Sequence, residues 1–490
     1  MRFTSRPGRR PGLRGSEPRE PRDYTPVARG WRVTLQNHRA SVPLWPVVSV
    51  RRHAPSAVVL ALIALSGVAA GAQEAAVALT LEEAQARAVE VSHRLAEGRA
   101  REQAARAVLE GRIVADRPIV SVAAGYTRTN HVTEFVLPSP TGPPRVLYPD
   151  APDNYRTRLD LQWPIYTGGR TDALERAALA EARAVSAETA LARADLRLEV
   201  ARAFWAVVTA RAAVSVLEQG VARAQAHVQD ARERFDAGLV PPNEVASADA
   251  QESRQRMLLI EAQGQRDVAA AGLARLVLGD ASGSIDPSAT LAPDRPPGAD
   301  ADSSFATARD ARSERVVLER RLDAAVEHEA AAAAGRRPVV AVVGGFDYAR
   351  PNPHIFPRAE RWDDSWDAGV NVTWSLWDGG RVRAEEAQAA SLTEAARQRL
   401  AEFDSVLAVD VRQRTVELDS ARAAVVAAED AVRAATEAQR VVTERYRAGV
   451  IGQIEVLDAQ FALLQTELDR TRALANVRLA EARLARALGQ

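Results

Sequence analysis

Two kinds of hydrophobic pattern alternate along the chain. Between residues 171 and 235, and again between 382 and 448, apolar positions fall at helical spacings among Arg and Glu. Leu196, Val200, Phe204 and Val207 mark the first stretch, and Val411, Val416, Val425 and Val432 the second. The first lacks Pro and holds a single Gly, Gly220, while the second holds neither over 67 residues. With nothing to stop it, each stretch predicts one continuous helix of about 100 Å at a rise of 1.5 Å per residue. A shorter helix is predicted to open at Thr80-Leu81-Glu82-Glu83, a capping-box signature, and to run to about Val114.

Four other segments alternate with period two. Tyr155, Thr157, Leu159, Leu161, Trp163 and Ile165 share one face, and Arg156, Arg158, Asp160 and Gln162 the other. Trp366, Ala368, Val370, Val372, Trp374 and Leu376 likewise oppose Asp367, Gly369, Asn371, Thr373 and Ser375. Val120, Val122, Ala124 and Tyr126, and Val340, Val342, Phe346 and Tyr348, supply partner strands. Strands are therefore expected at about 118–129, 154–166, 338–349 and 366–377. Tyr126, Tyr155, Trp163, Tyr166, Phe346, Tyr348, Trp366, Trp374 and Trp377 lie toward the strand ends as an aromatic girdle. Apolar outside, polar inside and aromatic at both rims is the pattern of a membrane β-barrel wall. A soluble reading would need a third layer to cover the apolar face, and the chain offers none. Four strands cannot span a bilayer alone, because open edges leave N–H and C=O groups unpaired in hydrocarbon. Subunits must pool strands; two chains give eight, three give twelve and four give sixteen, and the pattern does not choose among them.

The chain repeats itself. Leu159 to Arg170 recurs as Val370 to Arg381 at an offset of 211, which also aligns Phe235-Asp236-Ala237-Gly238-Leu239-Val240 with Tyr446-Arg447-Ala448-Gly449-Val450-Ile451. Upstream the offset becomes 220, pairing Pro118 with Pro338 and Gly125-Tyr126 with Gly345-Phe346, so the difference falls in a loop. The fold class is mainly α with membrane β, a duplicated helix, strand, strand, long helix, helix unit. The first repeat spans 73–279, a Pro/Gly/Asp-rich connector 280–302, and the second repeat 303–490. Gly168-Gly169 and Gly379-Gly380 mark strand-to-helix turns, and the Pro-rich loops 130–153 and 350–365 are expected outside the cell.

Charge and composition narrow the chemistry. Sixty-four basic residues, all Arg, balance 64 acidic ones, which removes the basic excess expected for a nucleic-acid partner. The absence of Cys excludes disulfides, thiolate zinc sites, cysteine nucleophiles and a Cys-linked lipid anchor. The seven His include no pair four residues apart and are read as solvent-facing or loop residues. Neither Gly-Gly-Arg segment begins a phosphate loop, so no catalytic residue, metal or cofactor is expected. Residues 1–50 are Arg-, Pro- and Gly-rich and are given no structure, being read as an upstream start with Val50 as a candidate initiation position. Arg51-Arg52-His53, the apolar run Ala57 to Leu65 and Ala70-Gly71-Ala72 make 51–72 a secretory signal, with the mature chain beginning near Gln73. No later segment is expected to form a transmembrane helix.

At this point the residues match a family. Residues 79 to 490 resemble TolC-type outer-membrane efflux proteins. The resemblance rests on the duplicated Trp-x-Ile/Leu-Tyr/Trp-x-Gly-Gly-Arg strand-to-helix motif and the duplicated Arg-Phe/Tyr-x-Ala-Gly tip followed by Glu-Val. It implies a homotrimer with a twelve-stranded barrel in the Gram-negative outer membrane and a helical barrel through the periplasm. It also implies docking to a periplasmic adaptor and an inner-membrane pump of RND or ABC type. The chain would be a passive duct for tripartite efflux or type I secretion. Gly238, Leu239, Gly449 and Val450 fall at the tips that meet the adaptor in relatives. Glu455 and Asp458 match the positions of inward-facing carboxylate rings, with Glu244 the equivalent in the first half and Tyr446 an aromatic neighbour. Where the best-known relative carries a gate-locking Arg, this chain has Ile451. The rival reading is a periplasmic coiled-coil adaptor or scaffold, which a soluble or inner-membrane location would identify.

Overall fold

The computed structural model of the chain describes residues 77–283, 285–292 and 301–490. The leader, the signal segment, Gln73 and part of the connector lie outside the described residues. The elements run β1 (Val77–Leu79), α1 (Leu81–Val91), α2 (His93–Ile113), β2 (Ile119–Arg128), β3 (Phe135–Leu137), β4 (Arg145–Tyr148), β5 (Asp153–Tyr166), α3 (Arg170–Asp236) and α4 (Pro242–Leu278). The second half follows with β6 (Ile285–Pro287), α5 (Ala301–Ala311), α6 (Ser313–Ala333), β7 (Val339–Arg350), β8 (Asp363–Thr373), α7 (Arg381–Arg447) and α8 (Gln453–Ala487).

Both long helices are continuous over 67 residues. The helix expected from Leu81 to Val114 is instead two. Thr80 forms the capping box with Glu83, but Ser92 adopts an extended backbone and caps α2 through its side chain on the Leu95 amide. The second half breaks at Arg312, the position equivalent to Ser92 at the upstream offset, between α5 and α6. Within the connector, β6 pairs in parallel with β1. The loop 130–153 holds the short antiparallel ribbon β3–β4.

The core is a set of helix seams. Leu196, Val200, Phe204 and Val207 of α3 are buried with Ala84, Ala88, Leu273 and Val277 of α1 and α4. By length and composition alone α3 contains a stretch apolar enough to cross a membrane, contrary to the expectation that none would. Its apolar side chains are used instead in this seam. On the other half, Leu418 and Val425 of α7 pack on Leu474, Val477 and Leu484 of α8. The halves meet where α8 lies against α3. Gly220 there gives Leu464 its room, a Cβ at that position falling 3.1 Å from Leu464 Cδ1, and Arg223 pairs with Glu467 at 2.6 Å.

Four strands form one antiparallel sheet in the order β2-β5-β7-β8, so β5 and β7 join the two halves and β2 and β8 are its edges. Register aligns the apolar faces: Val122 opposes Leu159, Tyr126 opposes Tyr155, Val342 opposes Val370 and Phe346 opposes Trp366. A bulge between Pro164 and Tyr166 brings Tyr166 opposite Val340. The last strand is shorter than expected, ending at Thr373, so Trp374 and Trp377 lie beyond it. The cause is pairing. Trp163 to Tyr166 at the end of β5 have β7 beside them, whereas beyond Thr373 the edge strand β8 has no neighbour in its own chain.

Candidate channel wall and helical tip

The sheet separates two environments. On one face Val120, Val122, Tyr126, Leu159, Trp163, Phe346, Tyr348, Trp366, Val370 and Val372 are all exposed, an apolar surface too extended for contact with water. The opposite face carries ions. Asp347, 1% exposed, accepts from Arg156 Nε at 2.5 Å and Nη2 at 3.1 Å, and also from Arg158. Arg158 in turn reaches Asp160 at 2.6 Å and Asp367 at 3.1 Å. Its guanidinium occupies the space that a side chain at Gly345 would need. Each of these charges has an opposite partner on another strand of the sheet or two residues along its own, as charges shielded from bulk water require.

The aromatic residues expected to form a girdle fall at two ends of the sheet. At one, Tyr126 and Tyr155 rings lie 5.0 Å apart, and Trp362 stacks on Tyr348 at 4.9 Å. At the other, the Trp163 indole donates to the Asp116 carbonyl at 3.0 Å and the Trp374 indole donates to the Arg336 carbonyl at the same distance. Trp374 thus makes the same contact as its repeat although its strand has ended.

Strand turns into helix through paired left-handed glycines. Gly168 and Gly169 have φ of 68° and 84°, Gly379 and Gly380 of 68° and 91°. Two successive positive φ values are open to Gly at little cost. The turn is tied by Arg337, whose Nη1 donates to the Gly168 carbonyl at 2.9 Å, and Asp378 accepts from the Gly380 and Val382 amides at 2.9 and 2.8 Å to start α7.

At the far end each long helix reverses through a left-handed Gly. Gly238 has φ of 74° and Gly449 of 69°. The Leu239 amide bonds the Arg234 carbonyl and the Val450 amide the Arg445 carbonyl, so both ends close in the same way. Leu239 and Val450 stand 74% and 65% exposed at the apices. Of the carboxylates singled out from sequence, Glu455 and Asp458 are exposed in the first turns of α8. Glu244 is half-buried and accepts from the Tyr446 hydroxyl at 3.4 Å. Tyr446 itself is 4% exposed, with the Arg234 guanidinium 4.5 Å above its ring and His227 5.7 Å away. Burial, with the Glu244 carboxylate next, pushes the Tyr446 hydroxyl pKa up. Tyr446 and Glu244 therefore meet each other, joining the end of α7 to the start of α4. His227, buried on α3, departs from the reading of the His as solvent-facing or loop residues. Its burial depends on α7, more than 200 residues away in sequence, and no local signal carries that.

The sequence matches the outer membrane efflux protein family over residues 70–279 and 308–490. The chain belongs to the outer membrane efflux protein family. It is 31% identical to Protein CyaE of Bordetella pertussis over 338 residues, 65% of this chain and 68% of that protein. Its fold is similar to the outer membrane protein VceC of Vibrio cholerae, with TM-score 0.70, 21% identity, and coverage of 84% of this chain and 96% of that one. It is also similar to the CmeC outer membrane channel of Campylobacter jejuni, with TM-score 0.70, 16% identity, and coverage of 84% and 85%. The efflux protein is accordingly an outer-membrane channel that extends into the periplasm, a transport protein without catalytic chemistry.

Proposed function

We propose that three copies of this efflux protein close a twelve-stranded barrel and act as a passive duct for a tripartite efflux or type I secretion system. The observation that carries this reading is the sheet with two unpaired edges, β2 and β8, and an apolar outer face. A bilayer tolerates neither edge. The helices lack the same kind of neighbour. Val409, Val416 and Val426 on α7, and Ile260 and Val268 on α4, are exposed apolar residues. Since α7 repeats α3 and α4 repeats α8, the internal α3–α8 seam has its counterpart between α7 and α4 of the partner subunit.

The tips carry the remaining roles. Leu239 and Val450, raised on left-handed Gly238 and Gly449, offer apolar contacts to a periplasmic adaptor, which couples the duct to an RND or ABC-type pump. The Tyr446–Glu244 bond latches α7 to α4 within a subunit and holds the tip narrow. Glu455 and Asp458 from three chains ring the axis, where like charges favour bound cations and give a cation-selective entrance. Ile451 leaves an apolar contact where a charged lock stands in the best-known relative.

Reconstitution in planar bilayers tests this. Protein purified from outer membranes in detergent is expected to form discrete cation-selective channels. Glu455→Ala with Asp458→Ala should lose that preference and any block by multivalent cations. A protein recovered in the soluble fraction, or one without conductance, would support the adaptor or scaffold reading; unchanged selectivity in the double variant would remove the carboxylate ring.

A further inference from the structure

His227 is a buried titratable group to which the proposed duct assigns no role. It is 8% exposed on α3, its ring is tilted 57° against that of Tyr446 on α7, and its Nε2 is buried without a hydrogen-bond partner. Four ionisable groups surround it from the elements packed there. Asp230 and Arg234 lie on α3 itself, Glu244 on α4 and Tyr446 on α7. Each is already engaged. Asp230 pairs with Arg234 at 3.1 Å, Arg234 covers the Tyr446 ring and donates to its carbonyl at 3.4 Å, and Glu244 accepts from the Tyr446 hydroxyl.

The internal repeat shows that the helix does not require this cluster. The position equivalent to His227 in the second half is Ala438, and the one equivalent to Tyr446 is Phe235, which is exposed. The same tip architecture is built there without an imidazole and without a hydroxyl. Only the seam within a subunit carries them.

We propose that His227 makes this tip seam proton-sensitive: the neutral ring keeps α3 packed on Tyr446, and protonation of the ring loosens it. The inference rests on the reading of the Tyr446–Glu244 contact as the latch of the tip. A second N–H and a full positive charge would be added beside Arg234, in a space where both nearby carboxylates are committed, so the protonated ring gains by reaching water. Burial already holds the His227 pKa below its ordinary value. A base whose pKa is depressed in the packed form stabilises that form least when protonated. The packed tip therefore keeps its full stability above about pH 6.5, the ordinary histidine value, and loses it as the pH falls from there toward the depressed value. For each proton taken up, the balance between loosened and packed forms shifts by up to about tenfold per pH unit.

The test is single-channel recording on the full-length protein between pH 7.5 and 5. The unaltered protein should show rising open probability below about pH 6.5, and His227→Gln, which keeps a polar side chain but cannot take the proton, should stay flat while its oligomers resist heat equally. Tyr446→Phe separates the two claims, because it removes the latch at every pH. If Tyr446→Phe is no more open than the parent at pH 7.5, the latch itself is wrong. If Tyr446→Phe opens the channel but the parent and His227→Gln follow the same pH curve, the latch stands and the role of His227 is overturned.

Discussion

Gly168 and Gly379 share a φ of 68° but not their surroundings. A Cβ on Gly168 would lie 2.7 Å from Arg337 Cβ and 3.2 Å from the Ala334 carbonyl oxygen, whereas nothing lies within 4 Å of the same atom on Gly379. Any side chain at either position incurs about 1–2 kcal/mol for the left-handed conformation. At Gly168 it must also displace Arg337, which is tied to the Gly168 carbonyl. Gly168→Ala should therefore lower the dissociation temperature of the assembled protein on heated gels more than that minimum implies. Equal resistance of variant and parent would show that the turn relaxes freely. Sequence marked both glycine pairs, because a Gly-Gly between a strand pattern and a helix pattern has few other uses. It did not reveal the Arg337 cover, which comes from the other half of the chain.

At the scale of elements, legibility followed the length of the pattern. α3 and α7 were readable because 67 residues of uninterrupted helical spacing leave no other structure, and β5 because its alternation runs over about ten residues. The breaks at Ser92 and Arg312 were not, since neither residue forbids helix and the break appears only when Ser92 turns to cap α2. Three-residue strands such as β1 and β6 are too short to show a period. The hairpins α3–α4 and α7–α8 carry the element-scale prediction. Leu239 and Val450 are largely exposed apolar residues at left-handed turns. Leu239→Asp with Val450→Asp should abolish efflux, measured as drug or cargo export in cells, while leaving the level of assembled protein in the outer membrane unchanged. Export at the parental rate would show that the adaptor does not dock at these apices.

In the proposed assembly a single chain is incomplete, and its own repeat describes what would complete it. Within the chain Trp163 lies opposite Val342 and Tyr166 opposite Val340. Carrying β5 forward to its copy β8 and β7 back to its copy β2 sets Trp374 opposite Val122 of the partner subunit and Trp377 opposite Val120 of the partner subunit. The same operation lays Arg117 of the partner subunit over Gly379, as Arg337 lies over Gly168, and so fills the space found empty there. Strand β8 would then extend past Thr373 to match β5. Because the chain has no Cys, the register can be read chemically without background. Trp374→Cys with Val122→Cys should form disulfides between subunits on mild oxidation of outer membranes, since directly opposed residues bring their Cβ atoms to about 4.5–5.5 Å, close to disulfide reach. Denaturing gels should show monomer, dimer and trimer and nothing larger, because a closed ring of three has no free edge to extend. A series ending at the dimer or reaching the tetramer would replace the twelve-stranded barrel with one of eight or sixteen. Cross-links absent from this pair but present in Trp374→Cys with Ala124→Cys would show that the seam between subunits has slipped by two residues from the one within.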